Sequence, residues 1–138
     1  MSNRYAKKLE LLNEILQTLS EKSSLKIPVI VEGKKDVTAL RKLGINAVVV
    51  CIRTGGKVLV DCLDEIQAEE VILLVDFDEY GTTLAKNIIQ YLEGKGITIN
   101  FIFWKKIRAI VKRDVKDIEG LPSFLEKLKK HSNLSVKG

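Results

Sequence analysis

The chain has 138 residues, of which 46% are hydrophobic, and its formal net charge is +5. One domain with a proper core suits this length and composition, and the moderate positive charge permits a nucleic-acid or anionic membrane partner without selecting either. The single histidine, His131, lies in a charged tail, which excludes a histidine–cysteine metal site and a serine or cysteine catalytic triad. With no long apolar stretch and no cleavable signal pattern, we expect a cytoplasmic protein that does not enter a membrane.

Helical and strand-like patterns alternate along the chain. Leucine and isoleucine recur at helical spacing in residues 6–19, which predicts an N-terminal helix. Short runs rich in β-branched residues predict four strands, at 27–31, 47–52, 70–75 and 97–103. Further helices are predicted at 36–43, 58–67, 82–92 and 121–130. The cysteines Cys51 and Cys62 fall in a predicted strand and a predicted helix, so we expect reduced, buried residues rather than a disulfide.

This alternation predicts the fold class. Strand–helix–strand repetition with short connections indicates an α/β domain with a mainly parallel four-stranded sheet flanked by helices in a three-layer, Rossmann-like arrangement. We expect one domain over residues 1–138, with a core at about 27–106 and a basic C-terminal extension at 105–138. The N-terminal helix and a C-terminal helix are additions to that core.

Acidic clusters follow the first and third predicted strands. The first strand is followed by Glu32 and Asp36, and the third by Asp76, Asp78 and Glu79. The carboxyl ends of parallel strands are where open α/β sheets build their sites. Asp76 and Asp78 are two residues apart, so both point to the same side of an extended backbone. Such carboxylates repel each other unless a cation lies between them, and Mg²⁺ suits oxygen ligands of this kind.

The two clusters carry a resemblance to a known family. A strand followed by Glu-Gly-x-x-Asp, and then a strand followed by Asp-x-Asp-x-x-Gly, resembles the Toprim domain of topoisomerases, bacterial primases, overcoming-lysogenization-defect-type nucleases and the small ribonuclease that matures 5S ribosomal RNA. The resemblance covers about 27–106 and implies a compact Toprim fold. Residues 31–36 and 112–120 are most similar to the ribonuclease branch, and the compact chain is similar to stand-alone archaeal Toprim proteins.

The resemblance implies roles for individual residues. Glu32 matches the glutamate that serves as general acid/base in strand cleavage, or as a further metal ligand. Asp76 and Asp78 match the aspartates that hold Mg²⁺, for which Mn²⁺ can substitute. Asp36 matches the acidic residue of the first motif, and Gly81 matches the glycine of the second.

One position departs from the topoisomerase pattern. Glu79 stands where topoisomerases have arginine, so it offers an additional carboxylate and argues against topoisomerase-like chemistry. Helix capping is the structural alternative for the acidic residues, with Asp76 as a cap and Asp78 as its solvated neighbour, or with Asp36 as a plain cap.

Two basic features are candidates for binding a nucleic-acid backbone. The Thr54-Gly55-Gly56-Lys57 turn could offer backbone N–H groups and a positive charge, although a tight strand-to-helix turn explains the glycines equally well. The chain after the fourth predicted strand is rich in cations, and it forms either a nucleic-acid track or a solvated face. The candidate residues of that track are Lys105, Arg108, Lys112, Arg113 and Lys116. We expect Trp104 to pack at the strand end rather than to stack on a base.

Three functions remain open from the sequence. The first is a Mg²⁺-dependent enzyme acting on RNA or DNA, for which we favour a nuclease. The second is a non-catalytic Toprim module that binds nucleic acid or a larger RNA- or DNA-processing complex. The third is a receiver-like or nucleotide-binding domain, which we rank last because the glutamate motif has no counterpart in a receiver. The sequence does not choose between RNA and DNA, and it does not give the oligomeric state.

Overall fold

The computed structural model describes residues 3–53 and 55–137, the last five of them by backbone alone. Thr54, which begins the predicted phosphate-binding turn, therefore lies outside the described residues. Neither cysteine takes part in a disulfide. Cys62 is buried as predicted, and its thiol donates to the Ile52 carbonyl at 3.6 Å, whereas Cys51 is only half-buried. Among the described residues, no helix is both long enough and apolar enough to cross a membrane.

Four parallel strands form one sheet in the order β2-β1-β3-β4. The strands are β1 (Val29–Val31), β2 (Val49–Cys51), β3 (Glu70–Leu73) and β4 (Thr98–Asn100). The central strand β1 is buried along its whole length, as expected for a parallel sheet covered on both faces. Because β1 and β3 are direct neighbours, the acidic clusters that follow them meet at one edge of the sheet.

In the described part of the chain, six α-helices and one 3₁₀ turn surround the sheet. The helices are α1 (Arg4–Ser23), α2 (Lys34–Lys42), α3 (Leu59–Asp64), α4 (Glu79–Gly94), α5 (Ile102–Val111) and α6 (Leu121–Lys137), and the 3₁₀ turn is Ile118–Gly120. The N-terminal helix α1 packs against α5 and α6, while α2 packs against the 3₁₀ turn. The predicted α/β class, the parallel four-stranded sheet and the two terminal helices are confirmed.

The predicted strand over 97–103 is wrong beyond Asn100. Helix α5 begins at Ile102, and the Asn100 side chain accepts a hydrogen bond from the Ile102 backbone N–H at 3.1 Å. The order Phe101, Ile102, Phe103 is compatible with the alternation of a strand. In the structure, however, the buried positions of this segment recur at helical spacing. These buried residues are Phe103, Trp104, Ile107 and Val111. The first part of the basic extension is therefore helical, with Lys105 on its exposed face.

Helix α5 offers a matched test of this packing. Ile107 is fully buried, whereas Ile102 on the same helix is 58% exposed. We expect Ile107→Ala to lower the free energy of unfolding by about 2–5 kcal/mol, because it leaves a cavity in the core. Ile102→Ala should change it by no more than about 0.5 kcal/mol. Urea denaturation measures both values, and equal losses would contradict the packing of α5 described above.

Candidate functional site

The carboxylate of Glu32 joins the ends of the two central strands. Glu32 follows β1 and is only 2% exposed. Its Oε2 accepts a hydrogen bond from the backbone N–H of Asp76 at 2.8 Å, so it bridges to the segment that follows β3. Its Oε1 lies 2.9 Å from Nη2 of Arg53, but no donor is aligned to give that oxygen a directed hydrogen bond. A buried carboxylate with one unfilled oxygen is costly unless a cation compensates it.

Asp76 places a second carboxyl group beside Glu32. Burial raises the pKa of Asp76 to about 7, with the negative charge of Glu32 as the next cause and smaller contributions from Asp36 and Asp117. Near neutral pH, this pair of acids either retains a proton or requires a positive charge. Asp76 is itself half-buried, in contrast to the exposed Asp78 and Glu79 that follow it.

Contacts from the C-terminal half of the chain hold the backbone around Asp76. Nε1–H of Trp104 donates to the Val75 carbonyl at 2.9 Å, and Nε–H of Arg108 donates to the Phe77 carbonyl at 3.0 Å. The Phe77 N–H donates in turn to the Lys116 carbonyl at 2.6 Å. Trp104 thus packs at a strand end as predicted, although from a helix rather than from the strand itself. Arg108, a candidate for the nucleic-acid track, is half-buried and braces the backbone of the site.

Asp78 and Gly81 shape the turn from β3 into α4. The exposed Asp78 is the N-cap of α4, and its carboxylate accepts a hydrogen bond from the Gly81 N–H at 2.8 Å. A Cβ atom at Gly81 would lie 2.0 Å from the Asp76 carbonyl oxygen, so only glycine lets the first turn of α4 approach this closely. The alternative that made Asp76 the cap is wrong, since Asp78 has that role. Glu79 is exposed in the first turn of the same helix.

Asp36 lies both at the start of a helix and beside the acidic cluster. It is 7% exposed at the third position of α2, and its carboxylate accepts a hydrogen bond from the Gly33 N–H at 3.0 Å. Burial is the main cause that raises its pKa, and the charges of Asp117 and Glu32 add to that effect. Asp36 therefore caps the helix while it faces the acidic cluster.

Two side chains that sequence reasoning did not assign also lie at this cluster. Arg53 follows β2 and contacts Glu32, and its guanidinium carbon lies 5.4 Å from the ring centroid of Tyr80. Asp117 precedes the 3₁₀ turn, where its Oδ1 accepts a hydrogen bond from the Gly120 N–H at 2.8 Å. The signals available were the place of Arg53 directly after a strand and the place of Asp117 within the 112–120 stretch.

The two candidate phosphate-binding features differ in their surroundings. Gly55 and Gly56 have φ angles of 49° and 80°, which is the left-handed conformation that a tight turn with glycine provides. Lys57 forms an ion pair with Glu65, and α3, which begins at Leu59, has only six residues. In the second feature, Lys105 is exposed in the first half of α5, and three further cations are exposed directly after that helix. They are Lys112, Arg113 and Lys116.

The donor atoms at the edge of the sheet fit a hard divalent cation. Glu32 and Asp76 offer carboxylate oxygens, and the buried Oε1 of Glu32 has unfilled acceptor capacity. In the part of the chain that the structure describes, no three or more His, Cys, Asp or Glu side chains are arranged to hold a metal by themselves. Mg²⁺ binds with one or two protein carboxylates and keeps several waters, so two carboxylates suit it better than they suit Zn²⁺ or Ca²⁺.

Known proteins share this arrangement of strands and motifs. The model of the Toprim domain matches residues 27–103, which span all four strands. A UPF0292 protein of Methanocaldococcus jannaschii is 37% identical over 124 residues, which is 89% of this chain and 93% of that protein. A UPF0292 protein of Thermococcus gammatolerans is 32% identical and covers 97% of this chain and 98% of its own length. The solved structure of a putative protein from Aquifex aeolicus is 31% identical, with a TM-score of 0.60 over 77% of this chain and 94% of that one.

Gly81 can be tested against a second glycine of the same helix. We expect Gly81→Ala to cost roughly 1–3 kcal/mol of unfolding free energy, because its methyl group would displace the Asp76 backbone or the start of α4. Gly94 has no atom within 4 Å of an added Cβ. Gly94→Ala should therefore stabilise the protein by up to about 1 kcal/mol, because alanine lowers the conformational entropy of the unfolded chain. Thermal and urea unfolding measure both, and a neutral Gly81→Ala would contradict this close approach.

The raised pKa of Asp76 gives the stability a definite pH dependence without metal. Below about pH 4, the Asp76 carboxyl is protonated in both the folded and the unfolded chain. As the pH rises from there to about 7, the folded pKa of Asp76, only the unfolded chain releases this proton, so the free energy of unfolding falls. Asp76→Asn should flatten that fall in EDTA, whereas Glu79→Gln, at an exposed neighbour, should retain it. A parallel wild-type and Asp76→Asn profile would count against the raised pKa.

Proposed function

Because the chain belongs to the Toprim domain family, whose model matches residues 27–103, and is related to UPF0292 proteins, we propose that it is a Mg²⁺-dependent nucleic-acid-processing protein that cleaves phosphodiester bonds in RNA or DNA. One observation carries this proposal. The carboxyl groups of Glu32 and Asp76 meet at the carboxyl edge of adjacent strands, and Glu32 Oε1 is buried without a directed hydrogen bond. That arrangement costs stability, and it is useful where a cation and a phosphate must be bound.

In such a reaction, different residues of the chain would bind the metal and accept the proton. Bound at Glu32 and Asp76, with Asp78 as the further ligand that the family resemblance implies, Mg²⁺ would neutralise phosphate charge and polarise the attacking group. The Asp76 N–H fixes Oε2 of Glu32 and leaves Oε1 to accept a proton from the attacking hydroxyl or water. The buried surroundings of Glu32 exclude competing water from that oxygen.

Exposed cations provide a surface for the nucleic-acid backbone beside these acids. The Lys116 carbonyl accepts a hydrogen bond from the Phe77 N–H, so the loop that carries Lys112, Arg113 and Lys116 lies next to the end of β3. Phosphate contacts from such residues supply affinity that does not depend on sequence. In this proposal the loop holds the strand while the acidic pair acts on it.

A non-catalytic Toprim module is the second candidate. In this reading the chain binds nucleic acid or a larger RNA- or DNA-processing complex without cleaving a strand. The observation that favours it concerns the expected ligands, since Asp78 already caps α4 and Glu32 already has Arg53 as a counter-ion. A protein that uses these carboxylates only structurally would retain the fold and the basic surface.

Paired variants separate the enzyme from the module. We expect Glu32→Gln to abolish Mg²⁺-dependent cleavage of structured RNA, single strands or duplex DNA while nucleic-acid affinity is retained, because the amide keeps the shape and loses the base. Alanine at Lys112, Arg113 and Lys116 together should weaken binding and reduce the log–log salt slope by roughly 0.7–0.9 for each lost phosphate contact.

A charge-matched control makes that comparison specific. Alanine at Lys7, Lys86 and Lys129 removes three exposed cations from α1, α4 and α6, and it should leave the salt slope unchanged. Binding with a clear salt slope but no metal-dependent cleavage of any of the three substrates would reject the nuclease and support the module.

A further inference from the structure

Arg53 and Glu32 form an ion pair whose two sides differ sharply in exposure. The Arg53 backbone N–H donates to the Glu32 carbonyl at 2.9 Å, so the main chains of the two residues are fixed side by side. Their side chains meet with Nη2 2.9 Å from Oε1, yet the Arg53 side chain is 58% exposed and the Glu32 side chain is 3% exposed. The carboxylate is thus a fixed buried charge, whereas its counter-ion reaches in from solvent and can leave without disturbing the core.

Tyr80 contacts the Arg53 guanidinium at the exposed side of the site. Its ring lies 5.4 Å from the guanidinium carbon of Arg53, at a distance that permits a cation–π contact, and the residue is 59% exposed in the first turn of α4. The ring can retain the guanidinium near the site after the contact with Oε1 is broken. In the structure the guanidinium contacts Oε1 of Glu32 and the Tyr80 ring at the same time, so breaking the first contact leaves the second.

We propose that Arg53 is an exchangeable counter-ion, which occupies Glu32 in the free protein and moves to a phosphate of the nucleic acid when a divalent cation binds the carboxylates. The inference rests on the proposed function, because it takes the cation to bind at Glu32 and Asp76. A guanidinium on Glu32 and a divalent cation held by Glu32 and Asp76 compete for the same negative charge and repel each other. A displaced guanidinium is well suited to a phosphate, which it can contact through two parallel hydrogen bonds.

The competition makes an uncommon prediction, since removing a positively charged residue should strengthen metal binding. We expect Arg53→Met to bind Mn²⁺ at least threefold more tightly than the wild type, measured by electron paramagnetic resonance at pH 8 without nucleic acid. Lys95→Met is the charge control, because Lys95 pairs with Asp64 just after the C-terminal end of α4, while the acidic edge lies at its start. It should leave the Mn²⁺ affinity unchanged, and Asp76→Asn should weaken it.

The second measurement tests whether Arg53 contacts the nucleic acid once the metal is bound. With Mn²⁺ present, Arg53→Met should bind a cleavage-resistant phosphorothioate oligonucleotide at least threefold more weakly than the wild type. In EDTA the two proteins should bind it equally, because Arg53 is then held by Glu32. Arg53→Lys, which keeps the charge and loses the planar fork, should lie between them and serves if Arg53→Met does not fold.

The outcomes separate the inference from the proposed function. Mn²⁺ binding that Asp76→Asn weakens but Arg53→Met leaves equal or weaker would overturn the exchange and leave the metal site standing. Mn²⁺ binding that is absent, or insensitive to Asp76→Asn, in both the wild type and Arg53→Met would overturn the metal site and the exchange together.

Discussion

The buried carboxylate of Glu32 is the constraint on which the rest of this structure depends. It lies between the ends of the two central strands, and the hydrogen bond that it accepts from the Asp76 N–H ties those ends together. A charge in this position would be unfavourable in a purely structural protein, because its desolvation is offset by one backbone hydrogen bond and one solvent-exposed arginine. The neighbouring Asp76 adds to the cost, and its pKa of about 7 reflects that cost. In the proposed function, the stability lost at this edge is offset when a cation binds there.

The segments beyond the strands stabilise this edge against the repulsion between its acids. Trp104 of α5 donates to the carbonyls of Val75 and Asp76, and Arg108 donates to the carbonyl of Phe77, so the backbone at residues 75–77 is held from outside the sheet. The loop after α5 adds the hydrogen bond from Phe77 to Lys116. The region that the Toprim model matches ends at residue 103, so these contacts come almost entirely from the part of the chain that follows it. In this protein, the C-terminal third is a brace for the site as well as a basic surface.

The sequence predicts the features that depend on neighbours along the chain. The parallel sheet, its buried central strands and the carboxylates at their ends follow from short apolar runs and the residues after them. Helix α5 was missed because three alternating residues at 101–103 fit a strand as well as a helix, and only the buried positions farther along decide between the two. Arg53 and Asp117 were not assigned because their places at the site depend on Glu32, Asp36 and Asp76, which are distant from them in sequence. Those contacts are properties of the tertiary structure, and the local signals, a position after a strand and a position within 112–120, do not specify the partners.

The spacing of the second acidic motif serves the fold and the chemistry together. Asp78 caps α4 by accepting a hydrogen bond from the Gly81 N–H. Position 81 must be glycine because the Asp76 carbonyl lies against it. These two requirements direct the start of α4 onto the end of β3 and hold Asp76 beside Glu32. A carboxylate is one of several side chains that can cap a helix, and asparagine or serine would serve equally well. The cap alone therefore does not require an aspartate at position 78, and a negative charge retained there is most useful to a site that binds a cation.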